Sequence, residues 1–335
     1  MSTTTDAPTL PAGYVARPPT AADAPEIFAL IAACNSAVVG RPDYTLAEVA
    51  DELAEPDFDP ARDGWLVHDQ QGRLVGWGWS CRKGDSDTVD IDAYHVPHEP
   101  QVGQWLWHRA QHRAVAIAAE RGHRRAVLDV GCYREDTATA ARLAGYGFGV
   151  ATVFNRLFIA HDPTNVPALP PPGDGVRIRD MATDPGSRRD AWTVHQAAFA
   201  DHFGFAAKSY TDWTAHLESQ SSHDWSLGEV AYLGPTPVAM VLRSHAFVAD
   251  ERSGYVWLLA VHPHWQGRGL GRLLLRRALA ADAHAGRRGT FLHVDTDPRR
   301  PALGLYLAEG MRPVQVIDAW RRIVALPGEV GGGTA

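Results

Sequence analysis

The sequence predicts a mixed α/β protein in which one unit, a twisted mixed sheet flanked by helices, occurs twice in tandem. In the second half, segments with strand and helix periodicity follow the order β-α-α-β-β-β-α-β-α-β, as in a layered α/β domain. Landmarks of that order recur in the first half. Tyr14 against Val176, Gly64 against Gly228 and Arg124 against Arg287 are offset by 162, 164 and 163 residues, which marks a duplication. Between the copies, residues 161–175 concentrate proline and glycine, which forbid helix and favour an extended connection. The expected domains are 1–160 and 176–328, joined by the linker 161–175 and followed by a disordered tail over 329–335.

Each element of the second copy has a local reason. Residues 176–180 alternate apolar and charged side chains, as a strand with one buried face does. Residues 190–205 carry Trp192, His195, Phe199 and Phe203 at spacings of three and four, which predicts one face of a helix, and a short helix follows over 209–218. Residues 229–233, 237–247 and 254–261 are rich in Val, Leu or aromatics and bounded by Gly, Pro or Asp, so they are expected to be strands. Residues 270–283 put Leu273, Leu274, Ala278 and Ala281 on one side and arginines on the other, an amphipathic helix. A strand over 291–295, a helix over 302–309 and a strand over 313–324 complete the order.

With 335 residues, 45% hydrophobic and 21% charged, the chain is long and apolar enough for two cores. A net charge of -7 argues against nucleic acid or an anionic membrane as partner and suits a cationic small molecule. Residues 1–13 lack the apolar core of a targeting segment, and no run reads as long enough to span a bilayer. A cytoplasmic protein, monomeric or homodimeric, is therefore expected. Cys34, Cys81 and Cys132 are odd in number and far apart, so reduced, mostly buried thiols are expected rather than disulfides or a zinc site.

The chemistry-bearing segment begins where a strand stops at Val261-His262-Pro263. It passes through Gln266-Gly267-Arg268-Gly269-Leu270-Gly271 straight into a helix. That arrangement aims several backbone N–H groups and a positive helix end at one point, an anion cradle. The glycines remove side chains where a diphosphate must approach the backbone, and Arg268 and Arg272 can add charge-assisted bonds. A P-loop is excluded because Gly-Lys-Ser/Thr is missing, and the dinucleotide fingerprint because its glycine spacing and early strand are missing.

This segment resembles the signature of the GNAT superfamily of N-acetyltransferases: Val-x-Pro at a strand end, Gln/Arg-Gly-x-Gly-x-Gly/Ala, then a helix. The resemblance continues downstream, where the family has a strand with Val, an asparagine, and Ala-Leu-x-Leu-Tyr-x-x-x-Gly-Phe. Here Val294 is followed by Ala302-Leu-Gly-Leu-Tyr306-Leu-Ala-Glu-Gly310-Met311, with Pro298 at the asparagine position and Met311 for the phenylalanine. It covers residues 176–324, and the tandem build is similar to the actinobacterial double-GNAT enzymes, mycothiol synthases among them. The first half resembles the same fold with its loop worn away. It reads Val96-Pro97-His98-Glu99-Pro100-Gln101-Val102-Gly103-Gln104, and Ala141 stands where Tyr306 stands in the second. Scaffolding, and one wall of the acceptor site, are its expected roles.

The resemblance implies acetyl-CoA, or another acyl-CoA, as co-substrate, no metal, and a small-molecule amine as acceptor. The donor's pantetheine would lie along Leu259, Ala260 and Val261 as an added strand, with Pro298 nearby. Its diphosphate would sit on Gln266, Gly267, Arg268, Gly269, Leu270, Gly271 and Arg272. A backbone N–H of the strand would hold the oxyanion, and Tyr306 would protonate the leaving thiolate. The base that frees the amine is not identified by residue: Tyr255, His245, Asp250 and Glu251 on or beside the strands, and His195 and His202 on the first helix, are the candidates, and a water chain near Tyr255 is preferred. Trp192, His195, Phe199, His202, Phe203 and Trp213 belong to the region that lines the acceptor pocket in relatives, although core packing is the plainer expectation for the aromatics among them. A carrier-protein pantetheine as donor, or a sensor that binds acyl-CoA without turnover, are the alternatives.

Three other clusters have plainer explanations. His108 and His112 stand at helical spacing but lack a third ligand or a His-Glu-x-x-His pattern, so an exposed helix face is expected. His262 and His264 flank Pro263 in a turn. Asp85, Asp87, Asp90 and Asp92 lack the spacing and glycine of a calcium loop, and a solvated hairpin is expected there.

Overall fold

The computed structural model describes residues 7–296 and 302–326; Pro298 and the tail over 329–335 lie outside them. The elements of the first repeat are β1 (Val15–Arg17), α1 (Ala24–Val39), α2 (Leu46–Leu53), α3 (Pro60–Asp63), β2 (Gly64–His68), β3 (Leu74–Arg82), β4 (Thr88–His95), α4 (Pro100–Glu120), β5 (Arg125–Tyr133), α5 (Thr137–Gly145) and β6 (Gly149–Ala160). Those of the second are β7 (Val176–Asp180), α6 (Pro185–Phe199), α7 (Tyr210–Ser219), β8 (Gly228–Leu233), β9 (Thr236–Ser244), α8 (Val248–Glu251), β10 (Gly254–Val261), α9 (Leu270–His284), β11 (Gly289–Asp295), α10 (Ala302–Ala308) and β12 (Arg312–Ala325). The duplicated order read from the landmark offsets is visible in all six strands and four main helices of each repeat, with the one-turn helices α3 and α8 standing at different places.

The chain divides into two compact units, residues 1–151 with 318–335, and residues 152–317. The sequence places the division at 161–175, but each repeat's closing strand is built largely into the other unit. In the second unit β6 runs antiparallel to β11, from Phe154 opposite Asp295 to Ala160 opposite Gly289. In the first, Trp320, Val324 and Leu326 join the core around Trp107 and Leu128, and Arg321 makes a two-pronged bond to the buried Asp129 carboxylate on β5, both contacts 2.7 Å. Both closing strands carry similar apolar patterns, so local pattern does not decide which sheet each one joins.

In the first unit α4 covers one sheet face through Val102, Leu106, Trp107 and Ala110. On the other face, α1 and α2 pack Ile27, Leu30, Ile31, Val49 and Leu53 against Leu66 and Trp77. The helix over Ala21–Val39 has the length and apolarity of a membrane span, contrary to the sequence expectation, yet its apolar residues form this core. A second correction concerns the acidic run. Asp90 and Asp92 lie in strand β4, where Asp90 pairs with Lys83 at 2.8 Å and burial pushes Asp92 up to about 6. Cys34, Cys81 and Cys132 are unpaired thiols.

In the second unit the sheet order is β6-β11-β10-β9-β8-β7. Helices α9 and α10 pack Leu270, Leu274, Leu275, Ala278 and Tyr306 on one face, and α6 and α7 pack Val194, Trp213 and Leu217 on the other. Helix α6 starts earlier than the sequence spacing predicts because Pro185 sits at its first turn and the Asp184 side chain accepts from the Gly186 N–H. It ends at Phe199. Tight turns follow, with His202 N–H donating to Phe199 O and Phe205 N–H to His202 O, and Gly204 at φ +70. Phe203 therefore leaves the helical face on which it was expected. Within the connection 161–175, Pro170 O accepts from Arg277 of α9 at 2.7 Å.

Candidate active site

The site is built by two strands that part. β10 and β11 are paired in parallel from Gly254–Thr290 to Val256–Leu292. Beyond that point β10 stays with β9 as far as Val261 opposite Ala239, while β11 stays with β6 as far as Asp295 opposite Phe154. A wedge opens between residues 257–261 and 293–295. Its β10 edge presents backbone groups in extended conformation, the template that an amide-containing chain joins by strand addition. At the apex the β9–β10 register slips between Val256 and Leu258, so Trp257 is an extra residue on β10. Such a bulge turns backbone out of the ladder, and bulges recur beside active sites for that reason.

At the open end of β10 stands the cradle. Gly267 (φ +74) and Gly269 (φ +79) occupy the left-handed region, and a side chain at either would be strained. The first main-chain bond of α9 runs from Leu273 N–H to Gly269 O. The amides from Gly267 to Arg272 enter no backbone hydrogen bond among the described residues. Six successive donors at the positive end of a helix have the geometry that suits an anion. Arg268 lies with its guanidinium 4.6 Å above the Trp265 ring, which holds it beside the loop. Arg272 and Arg276 both pair with Glu309 (3.0 and 2.7 Å), so two cations share one carboxylate and the locality stays positive. A Cβ at Gly271 would stand 3.4 Å from Val261 and 3.6 Å from Leu305, so the helix start lies close against these two side chains.

Tyr306, on α10, is 8% exposed, and its phenol is pushed up to about 12 by burial and then by the nearby Asp295 carboxylate. It is thus a proton donor at any physiological pH. Tyr255, on β10, belongs to a chain: its hydroxyl lies 2.9 Å from Nδ1 of His293, and Arg156 Nε donates to the other nitrogen, Nε2, at 2.9 Å. Because a guanidinium is always a donor, Nε2 must accept, Nδ1 carries the proton, and the imidazole donates to Tyr255. The one lone pair of His293, on Nε2, is thus taken up by the Arg156 guanidinium.

Of the six residues expected to line the acceptor pocket, only some reach the strands. His202 Nδ1 lies 3.2 Å from Asp295 Oδ2, and the Phe203 ring meets Phe154 of β6 at 6.2 Å. Phe199 stacks on His202 at 4.6 Å. Trp213, 2% exposed, and His195, 9% exposed, belong to the interior of the α6–α7 layer. Burial pushes His195 down to about 4, so it is neutral among Phe199, Phe205 and Trp213. Trp192 donates from Nε1 to Lys208 O and meets Tyr210 edge-on. Sequence reasoning missed Asp295, His293 and Arg156. Asp295 and His293 alternate along β11, a signal that was present, whereas Arg156 comes from the exchanged strand and had none.

The corresponding position in the first unit differs. Glu99 precedes α4 and accepts from Tyr14 Oη at 2.6 Å, and the His95 ring covers Gly103, with ring carbon 2.4 Å from where a Cβ would stand. An acidic side chain and a packed ring occupy what is an open row of amides in the second unit.

A parting strand pair, an unbonded row of amides at the adjoining helix and a buried phenol near Asp295 fit the class of acyl-CoA-dependent acyltransferases. Residues 188–311 match the Acetyltransferase (GNAT) family. The chain is 31% identical over 260 residues to a mycothiol acetyltransferase of Thermobispora bispora, covering 71% of this chain and 81% of that one. In fold it is similar to a GCN5-related N-acetyltransferase from Sphaerobacter thermophilus (TM-score 0.77, 23% identity, 96% of this chain and 98% of that chain). It is also similar to a tandem GNAT protein from the clavulanic acid biosynthesis pathway (TM-score 0.67, 17% identity, 94% and 99%). The chain belongs to the GNAT acetyltransferase family, and it transfers an acyl group from acyl-CoA to an amine.

Proposed function

We propose that the donor is free acetyl-CoA and the acceptor a primary amine on a small polar molecule, joined in one ternary complex within the second unit. The observation that carries this reading is the unbonded row of amides from Gly267 to Arg272 beside the opening of β10 from β11. That row suits the diphosphate of free coenzyme A; a carrier-protein pantetheine, which lacks one, would leave it unused. Pantetheine amides extend along Leu259 to Val261, and Arg268 on Trp265 meets the nucleotide end. The thioester then falls at the bulge, where a turned-out amide holds the oxyanion of the tetrahedral adduct. Tyr306 gives its proton to sulfur as the C–S bond breaks. Tyr255, fixed by His293, orients the acceptor on the other side. The first unit acts as scaffold without a nucleotide site, since Glu99 would repel a diphosphate. The reaction takes place where acetyl-CoA is found, in the cytoplasm.

The relatives support a small-molecule amine as acceptor. An amino sugar bearing a cysteinyl group is the first to test. The experiment is loss of the thioester absorbance of acetyl-CoA in the presence of an amino sugar, a cysteinyl amino sugar, an aminoglycoside and an amino-acid amide. Amine-dependent loss with formation of an acetamide is expected. Tight binding of acetyl-CoA without loss for any amine would instead make the protein a sensor.

A further inference from the structure

We propose that His202, held by Asp295, is the base that takes the proton from the acceptor ammonium. This rests on the acyl-transfer reading above and supplies the group that reading lacks. Asp295 ends β11 on the far side of the wedge from β10, and its side chain is only 3% exposed. A buried carboxylate is costly unless a donor faces it, and His202 Nδ1 does so at 3.2 Å. With Nδ1–H given to the carboxylate, the basic lone pair of the ring is on Nε2. The ring is clamped by Phe199 at 4.6 Å, its turn is anchored by Phe203 on Phe154, and its side chain is 24% exposed, so a proton taken at Nε2 can pass on to water.

The other titratable chain on this side is already committed, because the Nε2 lone pair of His293 accepts from Arg156 and its Nδ1–H faces Tyr255. Asp295 also raises the Tyr306 phenol, so one carboxylate keeps the acid protonated and offsets the charge His202 gains. Among the described residues, His195 on α6 feels the charge of His202, and Tyr306 on α10 that of Asp295.

The protons balance. The ammonium gives its first proton to Nε2, and its lone pair forms the N–C bond at the thioester carbonyl. On collapse the C–S bond breaks, sulfur takes the Tyr306 proton, and the second nitrogen proton restores the phenol. The proton on His202 leaves to solvent, so each turnover yields an amide, a free thiol and one proton. His202 is the catalytic residue of the pair and Asp295 the positioning residue.

The test compares wild type, His202→Gln, His202→Ala and Asp295→Asn with acetyl-CoA and whichever amine of the panel the wild type acetylates fastest. His202→Gln should lose about 10²- to 10⁴-fold in kcat/KM near neutral pH, with acetyl-CoA binding by calorimetry unchanged. The deficit should shrink as pH approaches the pKa of the amine itself, which then arrives unprotonated, and imidazole should partly restore His202→Ala. Asp295→Asn should lose rate with the same shrinking deficit. If the wild type acetylates amines while His202→Gln stays within about threefold at every pH and imidazole does nothing for His202→Ala, the base assignment is overturned and the acyl-transfer reading stands. A wild type that acetylates no amine overturns both.

Discussion

Replacing Gly269 by Ala isolates the backbone requirement of the cradle. Gly269 caps α9 at φ +79 and ψ 0, and a Cβ built there meets nothing within 4 Å, so the substitution introduces no clash. What it introduces is the left-handed penalty of an L residue, about 1–2 kcal/mol. The loop is exposed and free to relax when no donor is bound, so most of that penalty falls on the bound state, in which the amides must converge. At 1.4 kcal/mol per tenfold, acetyl-CoA should bind about 5- to 30-fold more weakly by calorimetry. Gly234, in the β8–β9 turn at φ +60 with nothing within 4 Å, is the matched control. Gly234→Ala should lower the thermal midpoint slightly and leave Kd alone. Equal affinities for wild type and Gly269→Ala would refute the claim that this loop holds the donor in its observed conformation.

Other outcomes follow from the same geometry. Tyr306→Phe should reduce kcat about 10- to 1,000-fold with little change in acetyl-CoA binding. Because the phenol is pushed up to about 12 and its protonated form is the active one, the wild type should show no falling alkaline limb attributable to Tyr306 below about pH 10. Arg321→Ala would leave the buried Asp129 carboxylate without its two-pronged partner, a loss of about 3–5 kcal/mol, and scanning calorimetry should show a thermal midpoint several degrees lower. His195 has a folded pKa of about 4 against 6.5. The unfolded chain therefore binds more protons between those values, and stability should fall by up to about 3 kcal/mol as pH drops through that window. In His195→Phe that part of the acid destabilisation, followed by denaturant titration at several pH values, should disappear.

The conformation of the 266–271 loop was legible in the sequence because everything that sets it is local: a strand end, glycines at 267 and 269 for positive φ, and a helix start. Strands such as 176–180 and 254–261 were legible for the same reason, since alternation and bounding residues lie within the segment. The ends of α6 were harder. Pro185 after Asp184 is a start signal, but the glycine beside it disguises it, and the aromatic spacing that runs on to Phe203 hides the stop at Phe199. The exchange of β6 and the end of β12 was not legible, because two closing strands of like pattern give no local reason to prefer either sheet. The His202–Asp295 pair was half legible: His202 stood out as a residue of the acceptor region. Its partner is 93 residues away, and only the fold brings a turn after α6 to the end of β11.

The most direct measurement follows the amide resonances of residues 267–272 while acetyl-CoA is titrated into the full chain. The account predicts that these six move first and furthest, together with those of Leu259 to Val261, and that the same titration with dephosphorylated pantetheine moves only the β10 amides. Shifts confined to other residues, or to the first unit, while the thioester is still consumed would contradict it.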